Sequence, residues 1–440
     1  MTFDLEAPQE ELAHEVAGVQ RVGRRVEADV QTERALRQTG RERVTIGGVV
    51  YEPASVEVGE EIHRPPCCHD RAPSLAPVSL IRVRGTIHTM TSLEELAKRF
   101  RDFAGEATVR APLYSCLSAA IADDPELVEL LQAAPPEQQS PVLLFAAVHY
   151  LLLDGNSHEL TDYYPNLVDP PRPANQSFGP FRRFVLQHAG DVATLVATRS
   201  TQTNEVGRCA LFLPALAMLE RRRGPLALVD VGTSAGLNLL LDRYSYEYAP
   251  GGGVGPPSTV HLSCGTRGAV PVPAALPRVA ARVGVDAAPI DLRDDAAARW
   301  LEACVWPDQP DRFARLRAAV ELARESPPLL IQGDAVDDLA AVINRVEADG
   351  HPVVMNSWVL NYLPEHRRMA YVAELDRLGA DRDLSWVLAE SPSQTSGLPI
   401  PTTPAPEHRT VLSMVTWRDG RRTVHRLASC HPHGFWLHWE

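Results

Sequence analysis

The spacing of apolar positions divides the chain into two textures. Between residues 93 and about 222, apolar residues recur every three or four positions in "LEELAKRFRDFA", "APLYSCLSAAIA", "PELVELLQAA", "SPVLLFAAVHYLLL", "FGPFRRFVLQHAGDVATLVATR" and "NEVGRCALFLPALAMLERRR". That is the period of helices burying one face. In "MTSLEELAKRF", Thr91 or Ser92 is placed to cap the first helix, with Glu94 or Glu95 close behind. Pro-rich "VDPPRPANQS" (168–177) reads as a loop. After Gly224, short apolar runs alternate with helical patterns, which predicts a mostly parallel sheet. Strands are expected at 226–231, near 281–286, and at 328–333, 352–357 and 384–390. Helices are expected at 235–243, 296–304, 311–324, 336–348 and 365–378. "TVLSMVTWRDG" and "RRTVHRLASCH" form a terminal antiparallel hairpin around Asp419-Gly420, and residues 245–280 read as a β-rich insertion. The expected architecture is an α-helical domain (90–222) followed by an α/β domain (223–440).

Residues 1–89 stand apart, rich in charge and proline. They read as a poorly ordered extension, with Met90 as the true or an alternative start. A chain of 440 residues has room for two domains, and 45% hydrophobic with 22% charged residues is ordinary for a soluble globular protein. A net charge of -13 argues against general attraction to nucleic acid or anionic membranes, so a small molecule or a protein is the expected partner. Lys98 is the only lysine, a bias that reads as compositional. Seven scattered cysteines suggest reduced thiols, and no signal peptide is recognisable. The longest apolar stretch, 141–153, is too short to span a bilayer. These features together predict a soluble cytoplasmic protein.

The candidate chemistry centres on "LVDVGTSAG" (228–236). Gly232-Thr233-Ser234-Ala235-Gly236 fits G-x-S-x-G, the elbow that presents a serine nucleophile in α/β-hydrolases. Asp230-Val231-Gly232, followed by small residues, also fits the first strand and loop of a nucleotide-cofactor fold. Chain order favours the second reading, because a hydrolase lays down several strands before its elbow and here only helices precede Leu226. Asp230 favours it too. An acid ending a central strand is costly to bury without donors or a ligand, although capping turn amides is the plainer use for it. A dinucleotide fingerprint fails, since Ser234 and Leu237 stand where glycines would be needed.

On these residues, the region 226–440 resembles the Rossmann-like S-adenosylmethionine-dependent methyltransferases. "LVDVGTSAG" is similar to their D-x-G-x-G-x-G motif, with Ser234 replacing the middle glycine. The resemblance implies a cofactor loop of Asp230, Gly232, Thr233, Ser234 and Gly236. "VGVDAAP" would put Asp286 on the ribose hydroxyls, and "LLIQGDAVD" would put Asp334 at the adenine. "VVMNSWVLNYLP" would turn Asn356 and Ser357 toward the methyl group. From about residue 93 the chain also resembles a bacterial family of unknown function, including "STQTNEVGR" (200–208) and "HPHGFWLHW" (431–439).

Other polar clusters are weaker signals. "TRSTQTNEVGRC" (198–209) gathers Gln202, Asn204, Glu205 and Arg208. It reads either as a helix cap at Thr203 or Asn204, or as a segment reaching over the first-strand loop to cofactor or substrate. Glu390, ending the fifth strand, is a candidate substrate contact. "DGNSHELTDYYPNL" (154–167) is a polar loop carrying His158, Asp162, Tyr163 and Tyr164. "CHPHGFWLHW" (430–439) lacks ligand spacing for a metal, and "HRPPCCHD" (63–70) resembles a ligand cluster but lies in the extension expected to be poorly ordered, where it reads as incidental. The expectation carried forward is an S-adenosylmethionine-binding protein, possible methyl transfer included. The alternatives are a serine hydrolase with Ser234, Asp334 or Glu390, and His433, or a scaffold that kept the fold without chemistry.

Overall fold

The first helix shows how closely local sequence can dictate a boundary. Ser92 accepts from the amide of Glu95, and the Glu95 carboxylate accepts from the amide of Ser92, so Leu93–Ala107 starts on a reciprocal cap. The computed structural model describes residues 91–155, 158–395, 398 and 410–440. The expectations for residues 1–89, for Met90 and for "HRPPCCHD" lie outside the described residues. Among the described residues, no helix is long and apolar enough to cross a membrane.

The chain is mixed α/β, with a largely parallel central sheet, antiparallel strands and helices. The parallel strands are β1 (Leu226–Val231), β5 (Val279–Asp286), β6 (Leu329–Gln332), β7 (His351–Ser357) and β8 (Leu384–Glu390). They run in the order β6-β5-β1-β7-β8, so the direction of chain progression reverses at β1. β9 (Thr410–Arg418) and β10 (Arg421–Cys430) continue antiparallel beyond β8 as the expected hairpin. All six residues of β1 are buried, as a central strand covered on both faces requires. Period-2 alternation divides them between two cores. Leu226 and Leu228 pack with the helices Cys209–Arg223 and Pro310–Glu325. Ala227, Val229 and Val231 pack with Glu365–Asp381.

The insertion forms β2 (Ser245–Ala249), β3 (Gly252–Val254) and β4 (His261–Arg267). These strands belong to the same sheet. The last strand, β11 (Trp436–Trp439), bridges them by pairing antiparallel with β10 and parallel with β4. The helices before β1 bury a second large cluster, and that cluster reaches the sheet side through Trp300. His149, fully buried on the helix Pro141–Leu153, donates from Nδ1 to Ala303 O at 3.1 Å and accepts from Asn166 at 2.9 Å. Burial lowers its pKa to about 4, which keeps the ring neutral in this double role.

Three helix expectations are corrected. Residues 235–243 do not form an α-helix. The segment Leu237–Arg243 is a kinked 3-10 turn, entered through Gly236 at φ 75°. Its leucines are all buried, only Asp242 and Arg243 at its end are partly exposed, and outside groups take its carbonyls. Tyr244 Oη donates to Leu237 O, Arg282 to Leu239 O and Tyr246 Oη to Leu241 O, which leaves no regular i to i+4 ladder to form. The helix expected at 336–348 shortens to Leu339–Asn344. Residues 199–205 approach Cys209–Arg223 as a strap without regular secondary structure that ends in a 3-10 turn, Val206–Arg208, whose Gly207 amide is capped by Glu205 and not by Thr203 or Asn204. Where described, the polar loop after residue 154 makes contacts within its own part of the chain. His158 accepts from the Leu160 amide, Asp162 pairs with Arg172, and Tyr163 and Tyr164 are buried.

The turn before β11 docks on this strap backbone to backbone. Gly434 has φ 81°, and a Cβ there would lie 2.0 Å from the carbonyl oxygen of Gly207. Gly434→Ala should therefore destabilise the fold by about 2–3 kcal/mol. Gly420→Ala, at a similar φ of 71° but with its nearest neighbour at 3.5 Å, should cost about 1 kcal/mol. Chemical denaturation of both variants tests this, and equal losses would refute the docking argument.

Candidate functional site at the carboxyl ends of the strands

The reversal at β1 opens the crevice where α/β sheets accept ligands, outside the carboxyl ends of adjacent strands. Asp230 lies near the end of β1 and is buried. Its Oδ2 accepts from Thr233 Oγ1 at 2.8 Å. Burial raises its pKa to about 7; the Thr233 hydrogen bond opposes the rise and the Asp286 carboxylate adds to it. Ser234 follows with φ 54°. Its amide donates to Asp286 Oδ2 at 2.8 Å, and its hydroxyl donates to Gln202 Oε1 at 2.7 Å. Asp286 ends β5 and also accepts from the Ala288 amide, so it ties the ends of two strands together.

β7 and β8 supply the other wall. Glu390, fully buried at the end of β8, accepts from Asn356 Nδ2 at 2.6 Å and from the Val359 amide at 2.9 Å. Its Oε2 is buried without a hydrogen-bond partner. Burial raises the Glu390 pKa to about 7, against those two hydrogen bonds. Asn356 Oδ1 accepts from Trp386 Nε1 at 2.5 Å and from the Tyr371 hydroxyl at 3.5 Å, so both ends of its amide are engaged. The Ser357 hydroxyl and carbonyl both accept from Arg208 Nη1.

The strap closes the crevice. Asn204 Nδ2 donates to Thr233 O at 2.7 Å, beside the Gln202 contact on Ser234. Glu205 is buried among three partners: Arg312 Nε at 2.6 Å, His433 Nδ1 at 3.0 Å and the Gly207 amide at 3.0 Å. Burial alone would raise its pKa, but the Arg312 guanidinium and His433 overcome that and hold it far below the ordinary range. Arg208, also buried, reaches the C-terminal turn through Pro432 O at 2.8 Å.

Of the residues singled out in the sequence, Asp230, Gly232, Thr233, Ser234, Gly236, Asp286, Asn356, Ser357, Glu390, Gln202, Asn204, Glu205 and Arg208 belong to this crevice and its strap. Asp334 is engaged elsewhere. It is exposed after β6, where it accepts from the amides of Val336 and Asp337 and pairs with Arg367. Ser234 and His433 are bonded to different partners, Gln202 and Glu205, and not to each other. Arg312, Trp386 and Tyr371 were not picked out in the sequence. Each lies on a helix or strand whose pattern reads as ordinary amphipathic surface or core, so no local signal marked them.

The carboxyl acceptors suit a ligand carrying hydroxyls or a cation, but the space does not suit a whole nucleoside cofactor. Gly232 is exposed, yet the volume left by its missing side chain is taken by Val359, which would lie 2.5 Å from an added Cβ. Thr233 fills the corresponding space at Gly284, and Pro328 with Leu330 at Gly236. A drug-sized ligand needs about 300 Å³ or more. With the turn that carries Val359 in this position, S-adenosylmethionine does not fit.

Opposite pH responses follow from the two kinds of buried acid. Glu390 has a folded pKa above its ordinary 4.5, so its neutral form favours folding. That contribution is complete below about pH 4.5 and is lost as pH rises toward 7. Glu390→Gln should abolish a decline on the order of 3 kcal/mol over this window. Glu205 has a depressed folded pKa, so its contribution is complete above pH 4.5 and lost as the solution turns more acidic. Glu205→Gln should cost about 3 kcal/mol at neutral pH, because it strands Arg312, and should flatten the acid limb. Denaturation curves across pH check both signs.

No curated protein matches this chain, and no solved structure does. One family model matches residues 97–439, most of the strap, sheet and helices described above. The chain belongs to the bacterial family described as "Uncharacterized protein conserved in bacteria (DUF2332)".

Proposed function

We propose that the crevice at the reversal of the sheet is a small-molecule site, and that S-adenosylmethionine is its candidate occupant. The observation carrying this is the convergence of Asp230, Asp286, Asn356 and Glu390 on one end of the sheet. Two of these carboxyls are buried with pKa raised to about 7, and Glu390 Oε2 has no partner. Buried carboxyls with incomplete partners are expensive, and a ligand amine, hydroxyl or sulfonium would relieve that cost. The strand order, with its parallel core and reversal at β1, supports a Rossmann-like assignment of the methyltransferase type. Occupancy requires the turn carrying Val359 to swing away from Gly232. Until that turn moves, the crevice is packed shut, and methyl transfer further requires an acceptor held in line with the sulfonium methyl.

In this reading Asp230 and Glu390 hold the charged end of the ligand, Asp286 receives hydroxyls, and the strap covers the site. Calorimetry with S-adenosylmethionine and S-adenosylhomocysteine tests it, with micromolar binding expected. Asp230→Ala should weaken binding by about 1.5–3 kcal/mol, Ser234→Gly should be tolerated or tighten it, and Ser234→Leu should block it. Val359→Ala should tighten it by reducing the cost of opening. Thermal melts of each variant separate lost folding from lost binding. Absence of binding at millimolar ligand would sink the cofactor proposal, and specific labelling of Ser234 by a fluorophosphonate would replace it with a hydrolase.

A further inference from the structure

Beside the strap lies a small cavity bordered by Asn204, Glu205, Val206, Arg312, Arg315 and Leu316. Its volume of about 10 Å³ is room for roughly one water-sized group. Arg312 and Arg315 stand one turn apart on the helix Pro310–Glu325, so their side chains share a face.

The four arginines of that helix are not equally provided for. Arg312 pairs with Glu205, Arg317 with Glu302, and Arg324 with Asp295 and Glu321. Arg315 makes no ion pair among the described residues, and its Nε is buried without a hydrogen-bond partner. Glu205 cannot serve it. Its Oε1 is taken by the Gly207 amide, and its Oε2 by both Arg312 and His433. Across the cavity, Asn204 Oδ1 is also buried and unpartnered, although its Nδ2 is used. The cavity therefore presents a spare guanidinium donor and a spare amide acceptor. A plain carboxylate would satisfy the first and repel the second. A hydrogen phosphate group satisfies both, because its charged oxygens accept from arginine while its P–OH donates to the amide.

We infer that this cavity is a phosphoryl-binding subsite, in which Arg315 and Arg312 face the anionic oxygens and Asn204 Oδ1 accepts from the phosphate hydroxyl. The P–OH oxygen fills the cavity, where it accepts from Arg315 Nε while donating to Asn204 Oδ1, and the charged oxygens sit at its mouth on the arginine side. The inference does not depend on the occupant of the crevice, because inorganic phosphate itself is the probe.

Calorimetric titration with inorganic phosphate, against acetate and chloride at matched ionic strength, tests it. The expected result is millimolar phosphate binding by the native chain. Arg315→Gln should weaken it about tenfold or more, and Arg315→Lys should retain part of it. Arg317→Gln removes the same charge from the same helix and should leave phosphate affinity unchanged. No phosphate binding by the native chain would overturn the inference. So would equal loss in Arg317→Gln and Arg315→Gln, or acetate binding as tightly as phosphate.

Discussion

The buried Glu205 carboxylate is the interaction on which the arrangement of the crevice depends. It holds together three parts of the chain that are distant in sequence: the strap at 202–208, Arg312 on a helix covering the sheet, and His433 in the turn before the last strand. A buried carboxylate is costly alone, so any displacement of one partner exposes that cost in full. Beside it, Gly207 and Gly434 bring two backbones close enough that no side chain can stand between them. The strap is thereby fixed against the C-terminus, and Gln202 and Asn204 come to lie on the β1 loop.

Around that anchor the acids divide into two kinds. Glu205 is fully paired and strongly acidic, a structural charge. Asp230 and Glu390 are buried with few donors, and burial keeps them protonated well above the usual carboxylate range. Stability alone does not explain two such groups at the end of one sheet, since apolar residues of similar size would cost less. Arg208 lies between these kinds. It is bonded to carbonyls of two separate segments, and burial lowers its pKa against the support of the Glu205 carboxylate.

The same packing explains why the crevice is shut. Both glycines that suggested an open cradle have their vacant side-chain space filled from within the chain, Gly232 by Val359 and Gly236 by Pro328 and Leu330, and Thr233 does the same at Gly284 on β5. Glycine in such a loop gives the backbone its turn and lets a neighbour approach. Whether that neighbour is a ligand or a side chain depends on the remainder of the fold.

The sequence by itself determined what is local. β1, β7, β8 and the hairpin at Asp419-Gly420 were legible because a run of apolar residues between turn formers has one cheap conformation. So was the cap at Ser92, whose partners lie within three residues. Asp230 and Glu390 were legible as strand-ending acids, since the carboxyl-end rule needs no partner, whereas Asp286 and Asn356 were marked only by the resemblance to methyltransferases. Only the tertiary structure decided the rest. Residues 235–243 have a helical spacing, but burial of all their leucines and three outside donors to their carbonyls leave a 3-10 turn. The insertion strands joined the main sheet because β11, near the end of the chain, pairs with β4. Glu205 and His433 are 228 positions apart, and nothing in either neighbourhood announces the other. Spacing along a chain reports which face a residue shows. What meets that face is set by the free energy of the whole packed structure, to which every distant segment contributes.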